Sequence, residues 1–332
     1  MNFNISNMMF TSLLIFSTLI SISSNSWLLS WFGLEINLMF FIPILSNKNN
    51  SMKSEFTMKY FLIQAISSSN LMYSIILFNL FNHFYMFMLL NIYISLLLKL
   101  ASAPLHWWMI QIIESLDWFS FLLISTWQKI APFILLSYLI NSMVIVITVF
   151  FNCLLGAVGG INQLYIRKLL TFSSINNMGW MFSTFLINET LWMLYFFLYS
   201  MMMCSLIIMF NMTQINNMNQ LIFTKFNYFV NLTIIMNFFS MGGMPPFFGF
   251  FPKWMIINNL MLMNKFLITF MVMCSLINLL FYFRLILPLL LYKKINSKYN
   301  FFTNLIMSSS NYYITIFNLM IIILSPLIFY IF

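Results

Sequence analysis

Apolar runs of about twenty residues, separated by short polar interruptions, recur along nearly the whole chain. That is the length a helix needs to cross a hydrocarbon core of about 30 Å. The runs lack the alternating pattern of barrel strands, so the predicted spans are helices. Eleven spans are predicted, over residues 4–23, 27–45, 56–81, 84–103, 118–140, 143–160, 168–187, 191–212, 228–251 with a continuation to 263, 266–289 and 312–331. A short helical continuation is expected over 105–114. No loop is long enough to form a soluble domain, so residues 1–332 read as one membrane domain of an all-α polytopic protein.

Two spans are interrupted by proline. The fourth reads Ala101-Ser102-Ala103-Pro104-Leu105-His106, and the ninth reads Gly242-Gly243-Met244-Pro245-Pro246-Phe247. Proline removes a backbone donor and clashes one turn back, so each helix must kink or open. The breaks lie five spans apart, and a repeat with an odd number of spans inverts when duplicated. Residues 1–140 and 143–289 therefore read as two inverted five-helix repeats, with 312–332 an added C-terminal helix. Interrupted segments at matching places in two halves point to a transport site.

Composition supports a lipid environment. The chain is 62% hydrophobic and 6% charged, with mean hydropathy +0.96, against about 45–50% apolar and about 25% charged for soluble domains. The net charge of +9 resides mainly in short loops, where basic residues set topology. No basic stretch is interleaved with aromatics as a nucleic-acid surface would be. Alternate loops carry Lys48 and Lys53 (with Lys59 just inside the next span), then Arg167, then Lys225, then Lys293, Lys294 and Lys298. The intervening loops hold Lys265 and the acidic Glu189. The basic side should face inward and carry the N-terminus, leaving the C-terminus opposite. One loop on that side departs from the pattern, with Glu114 and Asp117 and no base. Cys153, Cys204 and Cys274 are widely spaced within apolar segments and read as small buried hydrophobes.

Against this background four charges stand inside apolar segments: Glu35, Lys99, Lys129 and Lys253. An ionised side chain at membrane depth costs roughly 2.5–3.5 kcal/mol on insertion scales, so such residues mark paths for charge. Burial disfavours the charged form and an opposite charge restores it, so a group held between the two effects can switch. Glu35 has no pairing residue within four positions. A structural salt bridge to a neighbouring helix is the plainer alternative. Asn91, Ser95 and Lys99 share one helix face at i, i+4 and i+8, a polar stripe that argues against simple snorkelling. Lys129 lies too deep to snorkel easily, beside Ser125, Gln128 and Pro132. Lys253 follows the second break, and His106 sits at the first. His106 is either a hydrogen-bonded structural residue or a possible relay. His83 reads as a solvated loop residue. Arg284 reads as snorkelling or paired between helices, and it cannot itself pass a proton.

There is no Walker A loop, no glycine-rich dinucleotide turn and no histidine pair spaced for haem or metal. The chain is expected to bind no cofactor itself, so relay groups without an energy source need a driving partner.

Several segments carry a resemblance. Trp31-Phe32-Gly33-Leu34-Glu35, residues 99–108, Thr126-Trp127-Gln128-Lys129-Ile130-Ala131-Pro132, residues 156–163 with Arg167-Lys168, and residues 242–254 resemble, in order, the chain 2 family of mitochondrial NADH–ubiquinone oxidoreductase, respiratory complex I. The abundance of Met, Phe, Asn, Ile and Ser fits AT-rich codons of an arthropod-like mitochondrial genome. The resemblance implies an antiporter-like, inverted-repeat subunit of the mitochondrial inner membrane, with its N-terminus on the matrix side and its C-terminus toward the intermembrane space. It implies a proton relay of Glu35, Lys99, Lys129 and Lys253, driven by electron transfer in other subunits. The complex as a whole would use NADH, FMN, iron–sulfur clusters and ubiquinone. Implied partners are other membrane-arm and supernumerary subunits and lipids such as cardiolipin, with no nucleic acid. Family members often have histidine in the seventh span where this chain has Asn177, which cannot titrate. Two alternatives stand beside the pump subunit: a stand-alone cation/proton antiporter, and an assembly scaffold whose buried charges only fix helix pairing.

Overall fold

The structure, a computed structural model, describes residues 5–46, 51–80, 85–223 and 228–291. These form α1 (Ile5–Ser23), α2 (Trp27–Ser46), α3 (Ser51–Leu80), α4 (Tyr85–Leu100), α5 (Trp107–Ile113), α6 (Trp118–Ser125) and α7 (Trp127–Ser137). There follow α8 (Ser142–Gly160), α9 (Ile166–Thr184), α10 (Glu189–Thr213), α11 (Met218–Phe223), α12 (Tyr228–Gly242), α13 (Phe250–Leu260) and α14 (Lys265–Leu291). Among the described residues the strand-like pairing is an isolated antiparallel bridge, Tyr165 to Asn217. Seven helical stretches are long and apolar enough to cross a membrane, and Met86–Leu100 and Val230–Gly242 are shorter apolar helices. The eleventh predicted span, His83, Lys48, Lys225 and the lysines at 293, 294 and 298 lie outside the described residues.

The chain divides into two compact units between Ser142 and Met143. In the first, α1 packs on α2, α2 on α3 and α3 on α4, while α4 and α1 both meet α7. Hydroxyls inside these apolar helices are satisfied by their own helix. Ser12 donates to the Met9 carbonyl at 2.8 Å and Ser69 to the Ile66 carbonyl at 2.9 Å on exposed faces, which spares those surfaces an unmet polar group, and the buried Ser17, Ser21 and Ser67 do the same in the interior. Lys53 and Asp117 form a 2.8 Å ion pair, so the start of α3 and the loop before α6 lie at one end of this unit.

In the second unit α9 is the central element, met by α10, α13 and α14. Residues 169–184 of α9 are buried throughout although many are polar. That polarity explains why α9 is absent from the seven strongly hydropathic stretches. Arg284 is exposed and ties α14 to the connection between α8 and α9. Its Nη1 donates to the Ile161 carbonyl and its Nη2 to the Gln163 carbonyl, each at 2.6 Å. The planar fork reaches two loop carbonyls at once, which no lysine does.

The predicted span 118–140 is two helices, α6 and α7, meeting at Thr126 (φ −121, ψ −73). Thr126 places both its backbone N–H and its hydroxyl on the Leu122 carbonyl. Pro132 sits inside α7, where it cannot donate to the turn before it, and the interruption falls one and a half turns earlier.

Both proline-marked breaks open as expected. After α4, Ala101 takes a positive φ of 54° and the Ala103–Pro104 peptide is cis. After α12, Gly243 takes φ 82°, a conformation that glycine adopts without a Cβ penalty. At Gly249 a Cβ would collide with the Ser240 carbonyl oxygen, so the returning backbone passes where only glycine fits. Gly249→Ala should therefore force the second break apart. We expect a loss of about 3 kcal/mol, as for overpacking a tight site, read as a lower thermal midpoint of the purified protein.

Candidate functional site

Lys99 lies in the last turn of α4, and the break beyond it meets its own hydrogen-bonding needs. Ser102 places its backbone N–H and its hydroxyl on the Leu97 carbonyl, both at 3.1 Å. Trp108 Nε1 donates to the Leu98 carbonyl at 3.2 Å. The carbonyls freed by the opened helix thus find donors that are not Lys99. His106 Nδ1 stands 3.1 Å from the Pro104 carbonyl, which ties the ring into the break.

Lys99 is 8% exposed and Lys129 2% exposed. Both line one partly open cavity of about 30 Å³, with Asn37, Tyr60, Gln64, Trp108, Gln128 and Pro132 among its walls. A water needs roughly 10–15 Å³ of such space and two to four polar partners, so the cavity has room for about two waters. α2 supplies Asn37, α3 supplies Tyr60 and Gln64, α4 supplies Lys99, and α7 supplies Gln128 and Lys129. Glu35, half-buried on α2, acts electrostatically on Lys99 without a direct ion pair between them. The first unit therefore brings together three of the predicted residues: a carboxylate, a lysine within its field and a second lysine across the cavity.

Gln128 Nε2 donates to Asn37 Oδ1 at 3.0 Å, joining α7 to α2 beside Lys129. The Tyr60 ring packs edge-on against Phe41, with centroids 5.3 Å apart, and tilts against Trp108 at 5.8 Å. Asn37, Tyr60 and Gln64 had no place in the sequence reading. The available signal was a lone glutamine one turn beyond a tyrosine in an apolar helix. The Asn91-Ser95-Lys99 stripe plays a smaller part, since the Ser95 hydroxyl turns back to the Ile92 carbonyl at 2.7 Å.

Lys253 belongs to the second unit and lies early in α13, 6% exposed. Its Nζ donates to the Gly242 carbonyl at 3.0 Å, the last residue of α12, and stands 5.8 Å from the centre of the Trp180 ring. It thus caps a helix C-terminus, where a positive charge meets the negative end of the dipole, and lies over an aromatic face. Snorkelling is excluded by this arrangement. Asn177, on α9, accepts a 3.0 Å hydrogen bond from the Tyr195 hydroxyl. Nearby, the Ser205 hydroxyl donates to Asn237 Oδ1 at 3.0 Å. Among the described residues no three His, Cys, Asp or Glu side chains gather as a metal site.

Broken membrane helices with buried lysines, two of them at a polar cavity, define the class of antiporter-like membrane subunits. Residues 24–278 match the family model described as NADH:quinone oxidoreductase/Mrp antiporter, transmembrane. The chain is 45% identical over 292 residues to NADH-ubiquinone oxidoreductase chain 2 of Anopheles gambiae, covering 85% of each. It is 36% identical over 293 residues to the chain 2 of Locusta migratoria, covering 85% of this chain and 84% of that one. The fold matches a chain of respiratory complex I from Thermus thermophilus with TM-score 0.79 at 19% identity, over 86% of this chain and 71% of that one. It also matches a chain of the Mrp complex from Dietzia with TM-score 0.76 at 14% identity, over 83% and 59% respectively. The chain belongs to the NADH-ubiquinone oxidoreductase chain 2 family.

The Asn37–Gln128 bond makes a testable contribution. Asn37→Leu leaves the Gln128 amide without its acceptor. It should cost about 1 kcal/mol, the usual net worth of a neutral hydrogen bond, measured as a lowered thermal midpoint against wild type.

Proposed function

We propose that this chain is a membrane-arm subunit of the proton-pumping NADH:ubiquinone oxidoreductase of the mitochondrial inner membrane. Its role is to conduct protons through Glu35, Lys99, Lys129 and Lys253 with internal water. The observation that carries this reading is the polar cavity with both Lys99 and Lys129 on its wall. Electron transfer from NADH to ubiquinone, with its flavin and iron–sulfur centres, takes place in other subunits and supplies the energy.

The chemistry follows from charge coupling. A carboxylate near Lys99 favours its ammonium form, and moving or neutralising Glu35 removes that support. A conformational change elsewhere in the complex that shifts Glu35 would thereby release a proton from Lys99 into the cavity. Such coupling is a free energy between two sites and acts in both directions. Lys129 takes the proton on the far wall, and Lys253 serves the second half of the sequence. There the ammonium is seated by the Gly242 carbonyl and the Trp180 face. Asn177 carries no proton of its own, so a step at that place goes through water.

His106 fills a lesser role. With Nδ1 on the Pro104 carbonyl it fixes the break, and a relay role would run through its other ring nitrogen. The two halves are proposed as inverted repeats, and residues 312–332 as a further helix. The loop lysines support an N-terminus on the matrix side. Exposed apolar side chains such as Phe16, Met39, Phe87 and Leu280 suit neighbouring membrane-arm and supernumerary subunits and lipid, cardiolipin included.

Lys129→Met tests the reading in the assembled complex. Removing a group that takes part in proton transfer costs typically about 100-fold or more, so proton translocation coupled to NADH oxidation should all but stop. An unchanged rate and an unchanged proton-to-NADH ratio would remove Lys129 from the path. Glu35→Gln keeps the shape and removes the charge, and it should slow coupled turnover while leaving the complex assembled. If pumping persists when both Glu35 and Lys99 are neutralised, their role is one of helix pairing alone.

A further inference from the structure

The cavity of the first unit holds two polar side chains that the charged relay does not use. Tyr60 and Gln64 stand one turn apart on the same face of α3, and both line the cavity that Lys99 and Lys129 share. Gln64 is 6% exposed. Its carboxamide makes no hydrogen bond to any described residue, whereas the Gln128 carboxamide of the same lining is held by Asn37. A buried carboxamide without a protein partner is satisfied by water when it opens on a polar space large enough to hold one. Tyr60 is held rigidly beside it. Its ring lies between Phe41 and Trp108, and Trp108 is itself bonded to the Leu98 carbonyl at the break. The contacts that hold the first break in shape therefore also fix the cavity wall.

We propose that Gln64, supported by Tyr60, binds and orients the water that passes protons between Lys99 and Lys129. This inference rests on the relay reading and adds positioning residues to it. In the step, an N–H bond of Lys99 breaks as an O–H bond forms on the cavity water. Another O–H bond of that water breaks as an N–H bond forms on Lys129. One positive charge moves from the first lysine to the second, and nothing is oxidised or reduced. After such a hop the water dipoles point the wrong way and must turn before the next proton enters. A carboxamide both donates and accepts, and a half-turn of its terminal torsion supports either orientation of the water. It does so without adding a charge that would hold the proton in place.

The test compares Gln64→Leu, Gln64→Met and Gln64→Glu with wild type and with Lys129→Met. Activity is expressed per assembled complex from its flavin content, so a lower yield does not enter the result. The Leu and Met variants remove the hydrogen-bonding amide at similar size. They should slow coupled proton translocation about tenfold, less than the roughly 100-fold for a lost proton-transfer group, and should raise the solvent deuterium isotope effect on turnover. The Glu variant keeps a hydrogen-bonding group but places a carboxylate in the cavity that two lysines share, and it should slow turnover as well. Tyr60→Phe should lower the rate by a smaller factor than Gln64→Leu. Wild-type rate, stoichiometry and isotope effect in both the Leu and Met variants would overturn the role of Gln64. If Lys129→Met abolishes pumping in that same comparison, the relay survives and only this inference falls. If Lys129→Met also pumps normally, the relay reading itself falls.

Discussion

Opening a helix inside a bilayer frees carbonyls that bulk water cannot reach, so each needs a donor from within the protein. The two proline-marked breaks meet this demand differently. After α4, Ser102 and Trp108 take the Leu97 and Leu98 carbonyls. After α12, a tight turn through Gly243 and Met244 returns to the Phe239 carbonyl, and Lys253 covers Gly242. The consequence is an asymmetry between the two lysines. Lys99 is spared from capping its helix and faces the cavity, whereas Lys253 is itself the cap. The first is placed to exchange a proton with cavity water. The second ties its charge to the geometry of a helix end, so changes at that end and changes in charge act on one another.

The same demand governs the rest of the polar side chains. In α1, α2 and α3, and in α9 alike, serine and threonine hydroxyls turn back on their own helices. In α9 two asparagine amides also face the interior of the second unit. There Asn177 accepts from Tyr195, while Asn176 is fully buried with neither amide nitrogen nor oxygen bonded to a described residue. Unmet groups of that kind are costly in a low-dielectric interior. Asn176 shares α9 with Trp180, whose ring faces Lys253, so one such group lies on the helix where a charge is housed.

Much of this could be read from residue order. Span length and apolar composition fixed the class, the two proline clusters located the breaks, and four charges in apolar segments singled out Glu35, Lys99, Lys129 and Lys253. What escaped was the part that depends on distance between helices. Nothing in the sequence places Gln64 of α3 and Gln128 of α7 on one cavity, or shows that Asn37 and not Lys129 bonds Gln128. The division of 118–137 at Thr126 also escaped, because Pro132 drew attention to itself while the backbone gave way earlier. The partners of Arg284 also escaped, because they are backbone carbonyls, which carry no residue-type signature.

The account stands on one physical claim, that water in the first-unit cavity connects Lys99 to Lys129. A high-resolution cryo-EM map of the assembled complex, at rest and during NADH-driven turnover, tests it most directly. The expected result is water density within hydrogen-bonding distance of both Nζ atoms, shared with the Gln64 carboxamide, in at least one state. A cavity that is dry in every state, with the two lysines separated by packed apolar side chains, would contradict it.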